Sequence, residues 1–277
     1  MHSTSSMSWF GRLSLGGGLA FLYLPIVVLV VYSFNASKLV SVWAGFSLGW
    51  YQTLFDDEAV MAAFGLSLKV AVLASAMSVV LGTLAGLVMA RFGPFRGKSL
   101  FAGMLTAPMV MPEVITGLSM LLLFVSMQQW VGFPEERGVL TIWVGHVTLC
   151  TAYVTVVIRS RLVEMDRSLE EAAMDLGARP LKIFFVITLP LILPAIASGF
   201  LLSFTLSLDD LVMTAFLSGP GSTTLPQLIF SRVRLGLNPE INALGTLTVL
   251  VVAVLVISAN RIMLRQEKRR AALAAAS

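Results

Sequence analysis

Apolar residues run along this chain in six long blocks, separated by stretches where arginine, lysine, acids, glycine and proline gather. The blocks fall at about Leu15–Phe34, a second one ending near Ala90, Ser99–Val131, Val139–Ile158, Leu191–Leu217 and Ala243–Met263. About 20 apolar residues suffice for a helix to cross the hydrocarbon of a bilayer. The pattern therefore predicts an all-α polytopic membrane protein with six transmembrane helices. The third block is too long for one straight crossing and holds Pro108, Pro112 and Glu113, so a tilted, kinked or broken helix is expected there. Along the second block Ala74, Ser78, Gly82, Gly86 and Ala90 recur every four residues. Small residues at that spacing let helix backbones approach closely, which predicts a face packed on another helix. The fifth block is expected to run unbroken to Gly219-Pro220-Gly221.

Composition agrees with this pattern. The chain is 57% hydrophobic and 12% charged, against roughly 25% charged in a soluble domain. Its net charge of +4 is then read by location and not as a nucleic-acid footprint. With six spans and both ends on one side, Arg12, Arg91, Arg96, Lys98, Arg159, Arg161, Arg167, Arg179, Lys182, Arg261 and the run Arg265–Arg270 share that side. Lys38, Arg137, Arg232 and Arg234 fall on the other. The basic excess marks the cytoplasm. It gives a cytoplasmic tail over 1–14, a transmembrane domain over 15–263, an inner loop at 160–190 and a basic cytoplasmic tail over 264–277. A cleaved signal peptide competes for the first block, but the run is longer than an h-region and no small-x-small site follows. The loop 35–59 carries Trp43, Trp50 and Tyr51, which suit either a membrane interface or the core of a small external cap. The segment 223–239, with Arg232 and Arg234, reads as a short surface helix or gate. One cysteine excludes an internal disulfide.

The most ordered polar stretch is SLEEAAMDLGARPLKIFFVITLP, Ser168 to Pro190. Ser168 and Glu171 have the spacing of a capping box. Leu169, Ala172, Ala173 and Leu176 form a narrow apolar stripe on a helix of about two turns. Gly177 stands where a left-handed cap belongs, and Pro180 can open the next helix. Such a helix either packs on its own protein or docks another surface, which its alanines would let approach closely. The ionisable residues inside the blocks are mostly acids: Glu113, Asp209 and Asp210. At 1.5 Å per residue Asp209 lies about 28 Å beyond Pro190, near the outer end of its helix. Adjacent aspartates sit about 100° apart on a helix, so one of the two is expected to face a pathway. They serve either as caps and structural partners or as an acidic outer vestibule for cations. His146 and Cys150 share a face, but two ligands without a third make a poor metal site, and a core histidine with its bonds satisfied is the favoured reading. Around Gly93–Ser99 one residue is missing from a phosphate-binding loop, and a membrane helix stands where a strand is required, so no nucleotide site is expected in this chain.

Glu171-Ala172-Ala173, Gly177, Ile187, Leu189 and Pro190 resemble the EAA loop of ABC importer permeases. FTLSLDDLV (Phe204–Val212), FLSGPGSTTLP, LNPEINALGT (Leu237–Thr246) and TAPMVMPEVITGLSMLLLF resemble the putrescine and spermidine permeases among them, nearest to the second membrane subunit of putrescine systems. The likeness covers nearly the whole chain. It implies coupling to an ATPase through Glu171, Ala172, Ala173 and Gly177, and alternating access to a polyamine. It also implies a second, different permease, a cytoplasmic ABC ATPase dimer that holds ATP and magnesium, and a periplasmic polyamine-binding protein. This chain itself would bind no cofactor or metal. Glu113, Asp209 and Asp210 are candidates for the pathway on physical grounds alone. A proton-coupled carrier leaves the 168–190 loop unexplained and shows no inverted repeat. An intramembrane protease lacks facing aspartates and a G-x-S-G pattern.

Overall fold

Proline 112 and the aspartate pair interrupt two of the long apolar blocks, and those breaks shape the architecture. The computed structural model describes residues 8–39, 42–236 and 239–276. Its helices in order are α1 (Trp9–Tyr32), α2 (Gly49–Asp56), α3 (Glu58–Arg91), α4 (Lys98–Val110), α5 (Glu113–Val131), α6 (Val139–Glu164) and α7 (Ser168–Asp175). Then follow α8 (Pro180–Ile183), a π-helical turn (Phe184–Thr188), α9 (Leu189–Leu208), α10 (Val212–Leu217), α11 (Leu225–Leu235) and α12 (Glu240–Ala276). Among the described residues, six stretches are long and apolar enough to cross a membrane: Trp9–Tyr32, Glu58–Arg91, Glu113–Val131, Val139–Glu164, Pro180–Leu208 and Glu240–Ser258. The expected third span is indeed broken. Met111 is extended at ψ 138°, the conformation that a following proline favours. The Pro112 carbonyl then accepts the first amides of α5. The fifth block does not run unbroken to its glycines. Its helix stops at Leu208, and α10 starts afresh at Val212. Of the expected segments, residues 1–7, Leu237, Asn238 and Ser277 lie outside the described residues, as do the side chains of the basic run 265–270.

The chain forms two compact units, Met61–Leu228 with Ala259–Ser277, and Met1–Val60 with Ile229–Ser258. In the first, α6 is the central rod. Its Val154 fits between two glycines. A Cβ on Gly82 of α3 would lie 2.6 Å from Val154 Cγ1, and one on Gly199 of α9 would lie 3.3 Å from it. One turn along, a Cβ on Gly86 would meet Ile158 Cγ2 at 3.0 Å. Ala74 and Ser78 are fully buried, and the Ser78 hydroxyl donates to the Val147 carbonyl at 3.3 Å. The four-residue stripe of small side chains is therefore the groove by which α3 seats on α6. Ala90, Val154, Ile158, Leu162 and Ile192 form one apolar cluster. Val70, Phe124, Ile142, Leu149, Met213 and Leu217 form another.

In the second unit the aromatic loop is a built cap. Buried Asn35 gathers it: its Nδ2 donates to the Val42 carbonyl at 2.7 Å, its Oδ1 accepts the Ala44 amide at 2.9 Å, and its carbonyl accepts the Trp50 indole N–H at 2.7 Å. Segment 223–239 is largely the helix α11. Its Arg232 bridges Asp57 at 2.5 Å and Glu240 at 3.0 Å. Asp57 also accepts the Ala59 and Val60 amides and so caps α3.

Candidate functional site

The Ser168–Pro190 stretch begins with the expected two-turn helix, but its cap differs from expectation. Arg167, not Ser168, is the N-cap, and Asp166 Oδ1 accepts the Ser168 amide at 2.9 Å. Ser168 thus lies inside the helix and the capping box does not form. The C-terminal end matches expectation. Gly177 is left-handed at φ +82°, its amide donates to the Met174 carbonyl at 2.8 Å, and Ala178 donates to Ala173 at 3.0 Å. These two bonds are a Schellman cap, a geometry that costs a residue with a Cβ. Glu171 and Ala172 are exposed, and Ala173 is half-buried. Leu169 and Leu176 are 49% and 89% exposed, so the apolar stripe of this helix faces outward. A cavity of about 450 Å³ opens at its end, lined by Ala173, Leu176, Gly177, Ala178, Arg179 and Lys182.

The inward acid of α7 is Glu170, which the spacing of the stretch did not single out. Its side chain is 14% exposed, and Oε2 lies 2.7 Å from Arg91 Nε at the end of α3. Oε1 accepts the hydroxyl of Thr188, in the π-helical turn, at 2.7 Å. Arg91 also donates to the Leu162 carbonyl of α6 at 2.8 Å, and Arg167 to the Ala90 carbonyl of α3 at 2.6 Å. Both carbonyls belong to last helical turns, where they lack helical partners and carry partial negative charge.

At the other break the two aspartates diverge. Asp209, the C-cap of α9, is exposed, and among the described residues its carboxylate takes no hydrogen bond or ion pair from another residue. Asp210 is buried. It accepts the Thr214 amide and hydroxyl, each at 2.8 Å, the Met213 amide at 3.3 Å, and lies 3.1 Å from His146 Nε2. It therefore caps α10, whose amides it receives. Buried His146 places Nδ1 2.6 Å from the Ser207 hydroxyl. His146 is thus a core histidine with both nitrogens engaged. No group of three potential metal ligands occurs among the described residues.

Glu113 is exposed at the first position of α5. One turn on, Gly117 faces Phe216 of α10, whose ring carbon would stand 2.8 Å from a Cβ there. Close packing of α5 on α10 thus places both breaks on neighbouring elements. Among the described residues Glu113 makes no hydrogen bond or ion pair with either aspartate. Reasoning from sequence also missed Arg91, Arg167, Thr188, Ser207 and Thr214 as parts of these clusters. Only the polar character of Arg91 and Arg167 at helix ends was there to be seen.

Residues 82–272 match the family described as binding-protein-dependent transport system inner membrane component. The chain is 62% identical over 253 residues to the putrescine transport system permease protein PotI of Escherichia coli strain K12, covering 91% of this chain and 90% of that protein. It is 41% identical over 238 residues to the spermidine/putrescine transport system permease protein PotC of Haemophilus influenzae, covering 86% of this chain and 90% of that one. Its fold is similar to a chain of a bacterial ABC transporter involved in import of the acidic polysaccharide alginate, with TM-score 0.74 and 18% identity over 91% of this chain and 92% of that one. The chain belongs to the family of binding-protein-dependent transport system inner membrane components, as a multi-pass permease subunit of the inner membrane.

Proposed function

We propose that this chain is a permease subunit of an ATP-driven, binding-protein-dependent importer of polyamines, with putrescine favoured and spermidine possible as cargo. The observation that carries the substrate is the 62% identity to a putrescine permease across 91% of the chain. The acids give a physical reason for cationic cargo. Glu113 and Asp209 are exposed at two helix breaks and hold no partner among the described residues. Of the two adjacent aspartates, one of which is expected to face a pathway, Asp209 is our choice, because the Asp210 carboxylate is engaged in capping α10 and meeting His146.

The chain pairs with a second, different permease, and a periplasmic polyamine-binding protein delivers cargo from outside. ATP and magnesium are held by a cytoplasmic ABC ATPase dimer, and no nucleotide step occurs here. α7 is the docking helix. Leu169, Leu176, Glu171 and Ala172 face outward, and Gly177 ends the helix sharply beside the cavity of about 450 Å³. Closure of the ATPase pushes α7, and the spans rock to expose the acids alternately. Cytoplasmic placement of loop 160–190 and of both tails follows from this reading.

Uptake of labelled putrescine and spermidine by the reconstituted complex, binding protein and ATPase included, is the test. ATP-dependent accumulation of either diamine or triamine is the expected result. Accumulation driven by a proton gradient with the ATPase omitted would instead establish a secondary carrier and remove this reading.

A further inference from the structure

Chain connectivity joins α7 to only some of the spans. Residues 165–167 tie it to α6, and 176–179 tie it to α8 and so to α9. It has no short covalent link to α3, which is 34 residues long and carries the small-residue groove seated on α6. Among the described residues, the polar ties between α7's start and α3 run through side chains. They are the Arg91–Glu170 pair at 2.7 Å and the Arg167 bond to the Ala90 carbonyl at 2.6 Å.

We infer that Glu170, with Arg91, is the joint through which displacement of α7 reaches α3, and that it is a positioning residue distinct from the outward Glu171. This rests on the proposal that α7 is driven by an ATPase. Each carboxylate oxygen of Glu170 holds a different span: Oε2 the end of α3, and Oε1 the Thr188 hydroxyl in the turn that leads into α9. Arg91 extends the joint to α6 through the Leu162 carbonyl. Glu170 directly, and Arg91 at one remove, therefore link three span ends to the moving helix. The π-helical turn serves this geometry. Its wider turn alters side-chain register within a helix, and buried Thr188 is its last residue. Glu170 has a favourable site for its charge as well, in the first turn of α7, where the helix dipole stabilises an anion. Opposite charges at this distance attract strongly where water is largely excluded, so α3 follows α7.

The reconstituted complex, with binding protein and ATPase, tests the joint by the ratio of labelled putrescine taken up to ATP hydrolysed. Wild-type complex must first show ATP-dependent uptake; if it does not, the transporter reading fails and not the joint. Glu170→Gln keeps the size of the side chain and removes the charge. It is expected to retain ATP hydrolysis and lose uptake per ATP by about tenfold, within the range of about 5–150-fold for coupling between sites. The paired swap Arg91→Glu with Glu170→Arg is expected to recover part of that ratio. Thr188→Val, which leaves the ion pair intact, is expected to lower the ratio less. A wild-type ratio in Glu170→Gln would overturn the inference, and so would loss of hydrolysis and uptake in equal measure.

Discussion

The adjacent acids Asp209 and Asp210 should fail in different ways when substituted, and the structure sets the size of each effect. Asp210→Ala removes the acceptor for the Thr214 amide and hydroxyl at 2.8 Å and leaves buried His146 Nε2 without its partner at 3.1 Å. Loss of the cap costs about 0.5–2 kcal/mol. Leaving buried donors unpaired costs about 1–3 kcal/mol more. The sum is about 1.5–5 kcal/mol, enough to lower the thermal unfolding midpoint of the purified complex by several degrees. Asp210→Asn keeps an acceptor oxygen of the same shape and should be milder, since asparagine caps helices as well as aspartate. Asp209→Asn breaks no bond to another residue and should change stability by no more than about 0.5 kcal/mol. Its effect belongs in transport. A unit charge at about 4 Å contributes roughly 1 kcal/mol in water and more in a partly dry cavity. The KM for putrescine should therefore rise on the order of fivefold or more. Intrinsic tryptophan fluorescence on heating, set beside uptake kinetics for the same preparations, reads both effects. An unshifted midpoint in Asp210→Ala would refute the reasoning, and so would a shift as large in Asp209→Asn.

Three further outcomes follow from the packing and the caps. Gly82→Val should lower both the yield of folded complex and its unfolding midpoint, because even a Cβ would sit 2.6 Å from Val154 Cγ1; overpacking of this kind costs about 1–3 kcal/mol. Gly103→Val in α4, where nothing lies within 4 Å, is the control and should assemble normally. Gly177→Ala forces a Cβ into φ +82° at a cost of about 1–2 kcal/mol. Gly177→Pro cannot adopt that angle at all, so it should leave insertion intact and abolish coupled uptake, read as putrescine accumulated per ATP. The Arg232 hydrogen bond, set against burial, holds the Asp57 carboxyl below its ordinary value of 3.8, helped by the Val60 and Ala59 amides. A carboxyl lowered in the folded state adds stability above its ordinary value and loses it as pH falls through the lowered one. Asp57→Asn should therefore lose part of the fall in midpoint seen below about pH 4 in the wild type; an identical acid profile in both would sink the assignment.

Local and periodic signals were readable from the amino-acid order alone. The stripe from Ala74 to Ala90 became the groove against Val154 and Ile158, because a four-residue repeat of small side chains has one geometric use in a membrane helix. Pro112 broke its block because proline constrains the residue before it wherever it occurs. Gly177 capped α7 for a similar reason. Pairings across the chain left no such trace. His146 meets Asp210 from 64 positions away, and nothing in the spacing of either residue announces the other. Arg91 read as part of a basic turn at the lipid surface, yet its partner is Glu170. The capping box failed on a competition that spacing does not rank. Asp166 lies two residues before Ser168 and reaches its amide first. Hydropathy carried the fifth block across Asp209-Asp210 because the residues on both sides are apolar. The pair of carboxylates was itself the mark of the break.

The two breaks share an electrostatic logic that fits a cation better than an anion. α4 ends at Val110 and α9 at Leu208, so each presents the negative end of a helix to a break inside an apolar block. The helices that restart there, α5 and α10, present positive ends, and each meets an acid: Glu113 in the first turn of α5, and Asp210 across the first amides of α10. Asp210 is consumed in meeting the amides of α10, while Glu113 and Asp209 are exposed and make no hydrogen bond or ion pair with another residue among the described residues. Broken membrane helices commonly use half-helix C-termini and unwound carbonyls to hold cations, and half-helix N-termini to hold anions. On our proposal, a diamine finds one carboxylate at each break. Glu113→Gln and Asp209→Asn should then each weaken putrescine uptake more than uptake of a monoamine of equal length, and the double variant should erase the preference between them. Equal losses for both amines would place the two acids outside the cargo's path.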